Sequence, residues 1–92
     1  MHDENVWREL FENWPASLPP KGMVVTKLGE NVPFVMFLLR PGIVLLQRDK
    51  PDSSGGRQVM LSYEDIAAVK ITDPVDLVRF QAFGFSPPPS AG

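Results

Sequence analysis

Cysteine is absent from this 92-residue chain, which excludes disulfide staples, zinc–thiolate centres and thiol chemistry, and fits a reducing compartment. Histidine occurs once, as His2. A nucleophile–histidine pair or a histidine-based metal site cannot be assembled from a single copy without symmetry. An excess of one charge is also missing. Nine Lys and Arg stand against eleven Asp and Glu, for a formal net charge of -2 and a pI near 5.2. Spread over the whole length, those cations do not make the basic stripe that marks avid nucleic-acid binding. No uninterrupted apolar run reaches the ~18 residues of a membrane span, because Arg40-Pro41-Gly42 breaks the longest one. The start, MHDENVWREL, lacks the basic and apolar regions of a signal peptide. A soluble, cytoplasmic protein is the expectation.

What the chain does contain is centred on Val32–Gln47, VPFVMFLLRPGIVLLQ. Proline presets φ for the first central position of a turn, and glycine accepts positive φ at the second. Arg40-Pro41-Gly42 therefore reads as a tight turn between two strands. Neither flanking run alternates cleanly between apolar and polar, so both faces of this hairpin need cover. The length allows one domain, which at this size buries only roughly 60–65% of its unfolded surface.

Around the hairpin the elements follow in order. Asp3 is a candidate N-cap for a helix over 3–14, in which Val6, Trp7, Leu10, Phe11 and Trp14 share one face. Glu4 and Arg8 lie four apart on the other side, and Pro15 ends the helix. Too short to stand alone in water, this helix must dock, either as a cap on an open barrel end or on a partner. PASLPPKG, residues 15–22, is a stiff linker. Residues 22–28 read as the first strand, and Gly29-Glu30-Asn31 as a turn. Pro33 belongs at a strand start or edge. Residues 49–56, DKPDSSGG, form a flexible hairpin loop. In Arg57–Ser62, Val59 and Leu61 face one side while Gln58, Met60 and Ser62 face the other. Ser62-Tyr63-Glu64-Asp65 has the spacing of a capped turn, ahead of a fifth strand at 66–72. A helix over 74–83 is expected, with Asp73 as N-cap, Pro74 in the first turn and Gly84 as the stop; VRFQAFGF also alternates loosely as a sixth strand would. The segment 86–92, SPPPSAG, reads as a disordered tail.

This gives one domain, 1–85, of mainly β class: a five-stranded, strongly bent antiparallel barrel over 22–72, with an N-terminal α-helix and a short C-terminal helix. The element order, Gly22 opening the first strand, and VMLSYEDIAAVKI (59–71) as the closing strand–turn–strand resemble the Sm-like and SH3-like small barrels. The resemblance spans about residues 3–72 and implies that architecture, with ring-like or edge-to-edge assembly. The Asp-x-x-Asn base-binding motif of Sm-like proteins has no match at Arg40-Pro41-Gly42-Ile43. Their Arg-Gly or Lys-His element has none at Ser62-Tyr63.

No catalytic, cofactor or metal residues are expected. The acidic clusters (Asp3/Glu4/Glu9/Glu12, Asp49/Asp52 and Glu64/Asp65/Asp73/Asp76) have simpler roles in capping and solvation than in acid–base work. The spacing Asp49-x-x-Asp52-Ser53-x-Gly55 lacks the ligands of a calcium loop, and Gly55-Gly56 lacks the Lys-Ser/Thr and helix of a phosphate loop. Arg40, Arg48, Arg57 and Lys50 are placed near one end of the hairpins, with Phe37 close by, as an alternative RNA-binding set. The apolar excess is the larger signal. Consecutive residues of Phe34–Leu39 point to opposite faces, so one set must be covered by Trp7, Leu10, Phe11 and Trp14, by Phe80, Phe83 and Phe85, or by another subunit. Trp7, Phe11, Trp14, Phe34, Phe37 and Phe80 are the candidate interface residues. The expected function is a non-enzymatic interaction or assembly domain that self-associates; the alternative is an Sm-like RNA-binding module with a divergent site.

Overall fold

The computed structural model describes residues 5–89. The assignments of His2, Asp3, Glu4 and residues 90–92 lie outside them. Helix α1 (Val6–Glu12) is capped by Asn5, whose side chain accepts hydrogen bonds from the backbone N–H groups of Trp7 and Arg8 at 2.8 and 3.2 Å. Six strands follow: β1 (Gly22–Thr26), β2 (Asn31–Phe34), β3 (Met36–Arg40), β4 (Ile43–Gln47), β5 (Gln58–Ser62) and β6 (Ile66–Lys70). They form two three-stranded antiparallel sheets, ordered β2-β1-β6 and β3-β4-β5. In place of the expected five-stranded, strongly bent barrel, the described residues form six strands in two three-stranded sheets.

The difference has one source, at Val35. Val32 and Phe34 are buried on β2, at 2% exposure each. Beyond Val35 the positions on the core side of the sheet become the half-buried Phe37 and, near the exposed hairpin end, Leu39, paired with the fully buried Leu46 and Val44. Alternation therefore changes phase by one residue, as at a bulge. The apolar run that refused to alternate is two alternating strands joined out of phase. The Val35 N–H donates to Gln47 O at 2.8 Å, so the bend stays tied to the second sheet. Pro41-Gly42 makes the expected two-residue turn, with Arg40 opposite Ile43 and Gly42 at φ 83°, as a type II turn demands.

Gly22 opens β1 for a steric reason. A Cβ there would collide with the carbonyl oxygen of Lys70 on β6. Between β5 and β6 a 3₁₀ turn (Tyr63–Asp65) is capped by Ser62, whose hydroxyl accepts from Glu64 N–H at 3.2 Å. The core combines Phe11, Val24, Val32, Phe34, Val44, Leu46, Tyr63 and Ile66. It lies between the sheets and beneath α1.

The C-terminal element is a 3₁₀ helix, Leu77–Phe83, starting after Asp76 and ending at Gly84 with φ 97°. The start expected at Asp73 and Pro74 is corrected accordingly; Asp73 instead forms an ion pair with Lys21 at 3.3 Å. Side chains three apart eclipse in a 3₁₀ helix, and Phe80 stacks on Phe83 at 5.9 Å. The 49–56 loop is organised by Asp52. Its carboxylate accepts from Ser54 N–H, Ser54 Oγ–H and Gly56 N–H at 2.9, 3.0 and 2.7 Å. These bonds, with the Gly56 and Ser54 backbone donors foremost, hold its pKa below the ordinary carboxylate value.

Candidate interaction surface

The six aromatic residues expected at an interface are turned mostly inward. Phe11 and Phe34 are fully buried, and Trp7, Trp14 and Phe37 pack against the core. Phe37 meets Phe11 edge-on at 4.9 Å and Trp14 at 5.1 Å, while Trp14 reaches Phe83 at 5.2 Å. Such edge-on pairs contribute ~0.5–1.5 kcal/mol beyond burial. Phe80 is half-buried on Phe83. Helix α1, which ends at Glu12 and not at residue 14 as expected, and Trp14 just beyond it therefore supply internal cover for the hairpin, and the free apolar surface lies elsewhere.

It lies on the other side of the β3-β4-β5 sheet. The registers place Leu38 opposite Leu45 and Leu45 opposite Met60, so these three side chains form a row across one face. Leu38 is 64% exposed and Met60 69%. Met36, 49% exposed, and the half-buried Ile43 extend the patch on either side. Gln58 Nε2 donates to Gln47 Oε1 at 2.9 Å at one end; Arg40 and Ser62 flank Ile43 at the other. The sequence signal was present in Arg57–Ser62, where Met60 falls opposite Val59 and Leu61.

A second apolar feature is a groove of about 610 Å³ lined by Leu77, Val78, Phe80, Phe85, Pro87 and Pro88. No known protein family, curated protein or solved structure matches the chain in comparison. The surfaces themselves have to carry the functional reading.

The basic residues are divided. Arg48 and Arg57 adjoin through a backbone hydrogen bond, Arg48 N–H to Arg57 O at 2.8 Å. Arg48 Nε–H also donates to Lys50 O at 3.0 Å. Arg40 sits beside the Pro41-Gly42 turn, opposite Ile43, at the far end of β4. At ~3.4 Å per residue that is roughly 17 Å away. The three arginines do not form one cluster, contrary to their expected placement at one end.

Polar chemistry is sparse. Among the described residues, no group of three or more acidic or histidine side chains is placed to hold a metal ion. No helix among them is long and apolar enough to cross a membrane. The Tyr63 hydroxyl and Arg8 Nε are buried without a hydrogen-bond partner among the described residues. Burial raises the Tyr63 pKa, nearby Glu12 adds to the rise, and Arg8 opposes it.

Proposed function

We propose that this chain is a non-enzymatic assembly domain, cytoplasmic, that associates with copies of itself through exposed apolar sheet surface. The row Leu38–Leu45–Met60 carries the reading: apolar, contiguous side chains on a hydrogen-bonded sheet, with Leu38 and Met60 exposed on either side of the half-buried Leu45. Contiguous apolar patches are uncommon on monomers and mark contact surfaces. The same reading takes the two sheets as halves of one Sm-like or SH3-like barrel. Counting β2 and β3 as a single strand bent at Val35 returns five strands, and the 3₁₀ turn before β6 supports the likeness.

RNA binding ranks second because the patch has one cation and no aromatic side chain on which a base would stack. Native mass spectrometry across a salt series tests the proposal. Oligomers that persist at high salt are expected, since apolar contact is not screened. A monodisperse monomer overturns it.

A further inference from the structure

We infer that the segment from Ile71 to Phe85 is a strap, hinged where β6 ends, that opens and closes as one unit over Trp14 while both sheets stay folded. The inference is separate from self-association and uses none of the β3-β4-β5 face. Among the described residues, three polar or aromatic attachments hold the segment to the rest of the chain, and they fall in order. Asp73 Oδ1 pairs with Lys21 Nζ at 3.3 Å. Arg79 Nη1 donates to Ser17 O at 3.4 Å. Phe83 meets Trp14 edge-on at 5.2 Å. Positions 73, 79 and 83 thus match 21, 17 and 14, so the strap runs antiparallel along the linker between α1 and β1. Lys21 and Asp73 lie just beyond the β1–β6 pairing, which joins Met23 to Lys70. That end is the hinge, and the Phe83–Trp14 contact is the latch at the far end.

Each attachment is of a kind that breaks readily. The ion pair is open to water on both sides, and exposed pairs hold little. The Arg79 bond is long and exposed. No residue from Ile71 to Pro89 is buried. The backbone hydrogen bonds of that stretch close within it, from Arg79 to Asp76, Gly84 to Gln81 and Phe85 to Phe80, so no sheet ladder continues into the strap. Its 3₁₀ helix runs seven residues without a side-chain cap, where three or four is usual. Nor does the strap close down on α1, because a cleft of about 440 Å³ lies between Val6, Leu10 and Asn13 on one side and Phe83 and Phe85 on the other. Segments with few buried contacts and exposed bonds open at the low end of a protein's stability range. The ground beneath is firm, since the fully buried Phe11 stacks on Trp14 at 5.5 Å. Opening therefore uncovers Trp14 beside the half-buried Leu10, an apolar surface that the closed form withholds.

Trp14 itself reads the strap. In a Trp7→Phe chain it is the one tryptophan, and quenching by acrylamide reports its exposure. Phe83→Ala removes the latch, while Arg79→Ala removes the bond to Ser17 without touching Trp14. Both are expected to raise the quenching constant of Trp14 about twofold or more, as the open population grows. The sheets stay as they are, so the melting temperature followed by circular dichroism is expected to move by less than about 4 °C in either variant. Should Trp7→Phe disturb folding, the same substitutions in the Trp7-bearing chain give the same differences over a constant Trp7 signal. If Arg79→Ala leaves Trp14 as shielded as in the parent chain, the segment does not move as a unit. If Phe83→Ala lowers the melting temperature further than that, the segment belongs to the cooperative core. Either result overturns the strap, and neither bears on whether the chain self-associates.

Discussion

Phe37 joins the strand-borne and helix-borne halves of the aromatic core, because Phe11, Trp14 and Phe34 all lie within 6.0 Å of its ring centre. A carboxylate there would lose three aromatic contacts and stand unpaired in an apolar setting. Phe37→Asp is expected to lose about 3 kcal/mol or more of stability, read as a lower urea midpoint, and to yield unfolded or insoluble chain. A folded, soluble monomer from that variant would instead place Phe37 at an interface. Gly22 is a second single-residue test, since its Cα hydrogen occupies the space where a side chain would strike Lys70 O. For Gly22→Val, overpacking costs about 1–3 kcal/mol, and the melting temperature should fall by roughly 5–20 °C. Gly29 differs: a Cβ there would meet open space, and only its positive φ favours glycine.

At the scale of elements, the Asp52 loop supplies a pH test. Its carboxylate accepts three hydrogen bonds from Ser54 and Gly56, and its folded pKa lies below its ordinary value. The folded form thus binds the proton less readily than the unfolded one. The stabilisation is fully present above the ordinary carboxylate value of ~3.9 and disappears as pH falls through the lower folded value. Amide exchange at Ser54 and Gly56 should accelerate over that acidic window, before the strands open. Asp52→Asn should make the loop's exchange insensitive to pH there beyond the intrinsic rate. The hairpin β3–β4 behaves differently. Its turn depends on Pro41 and Gly42 backbone geometry and carries no titrating group.

For the whole molecule, self-association ties stability to concentration. Binding between folded copies but not unfolded ones raises the melting temperature with protein concentration. A melting temperature that climbs by several degrees between ~1 μM and ~100 μM is expected at both low and high salt; one that stays constant would argue against assembly. The local elements were readable from residues whose preferences act over a few positions. Pro41-Gly42 named the turn, Ser62 named the capped 3₁₀ turn, Val59 and Leu61 named the inward side of β5, and Gly84 marked the end of the last helix. Strand number and the identity of the free face were not readable in that way. Val35 looks like any other member of an apolar run, and its role as a phase change exists only because β2 pairs with β1 while β3 pairs with β4. Likewise Phe37 and Leu38 are equally apolar neighbours. Packing of Phe11 and Trp14 against one side half-buries Phe37 and leaves Leu38 outside. Local chemistry thus settles where strands turn and stop, because steric and hydrogen-bond preferences act within the segment. Which apolar residues become core and which become surface depends on long-range pairing, where burial is a property shared between distant segments and belongs to none of them alone.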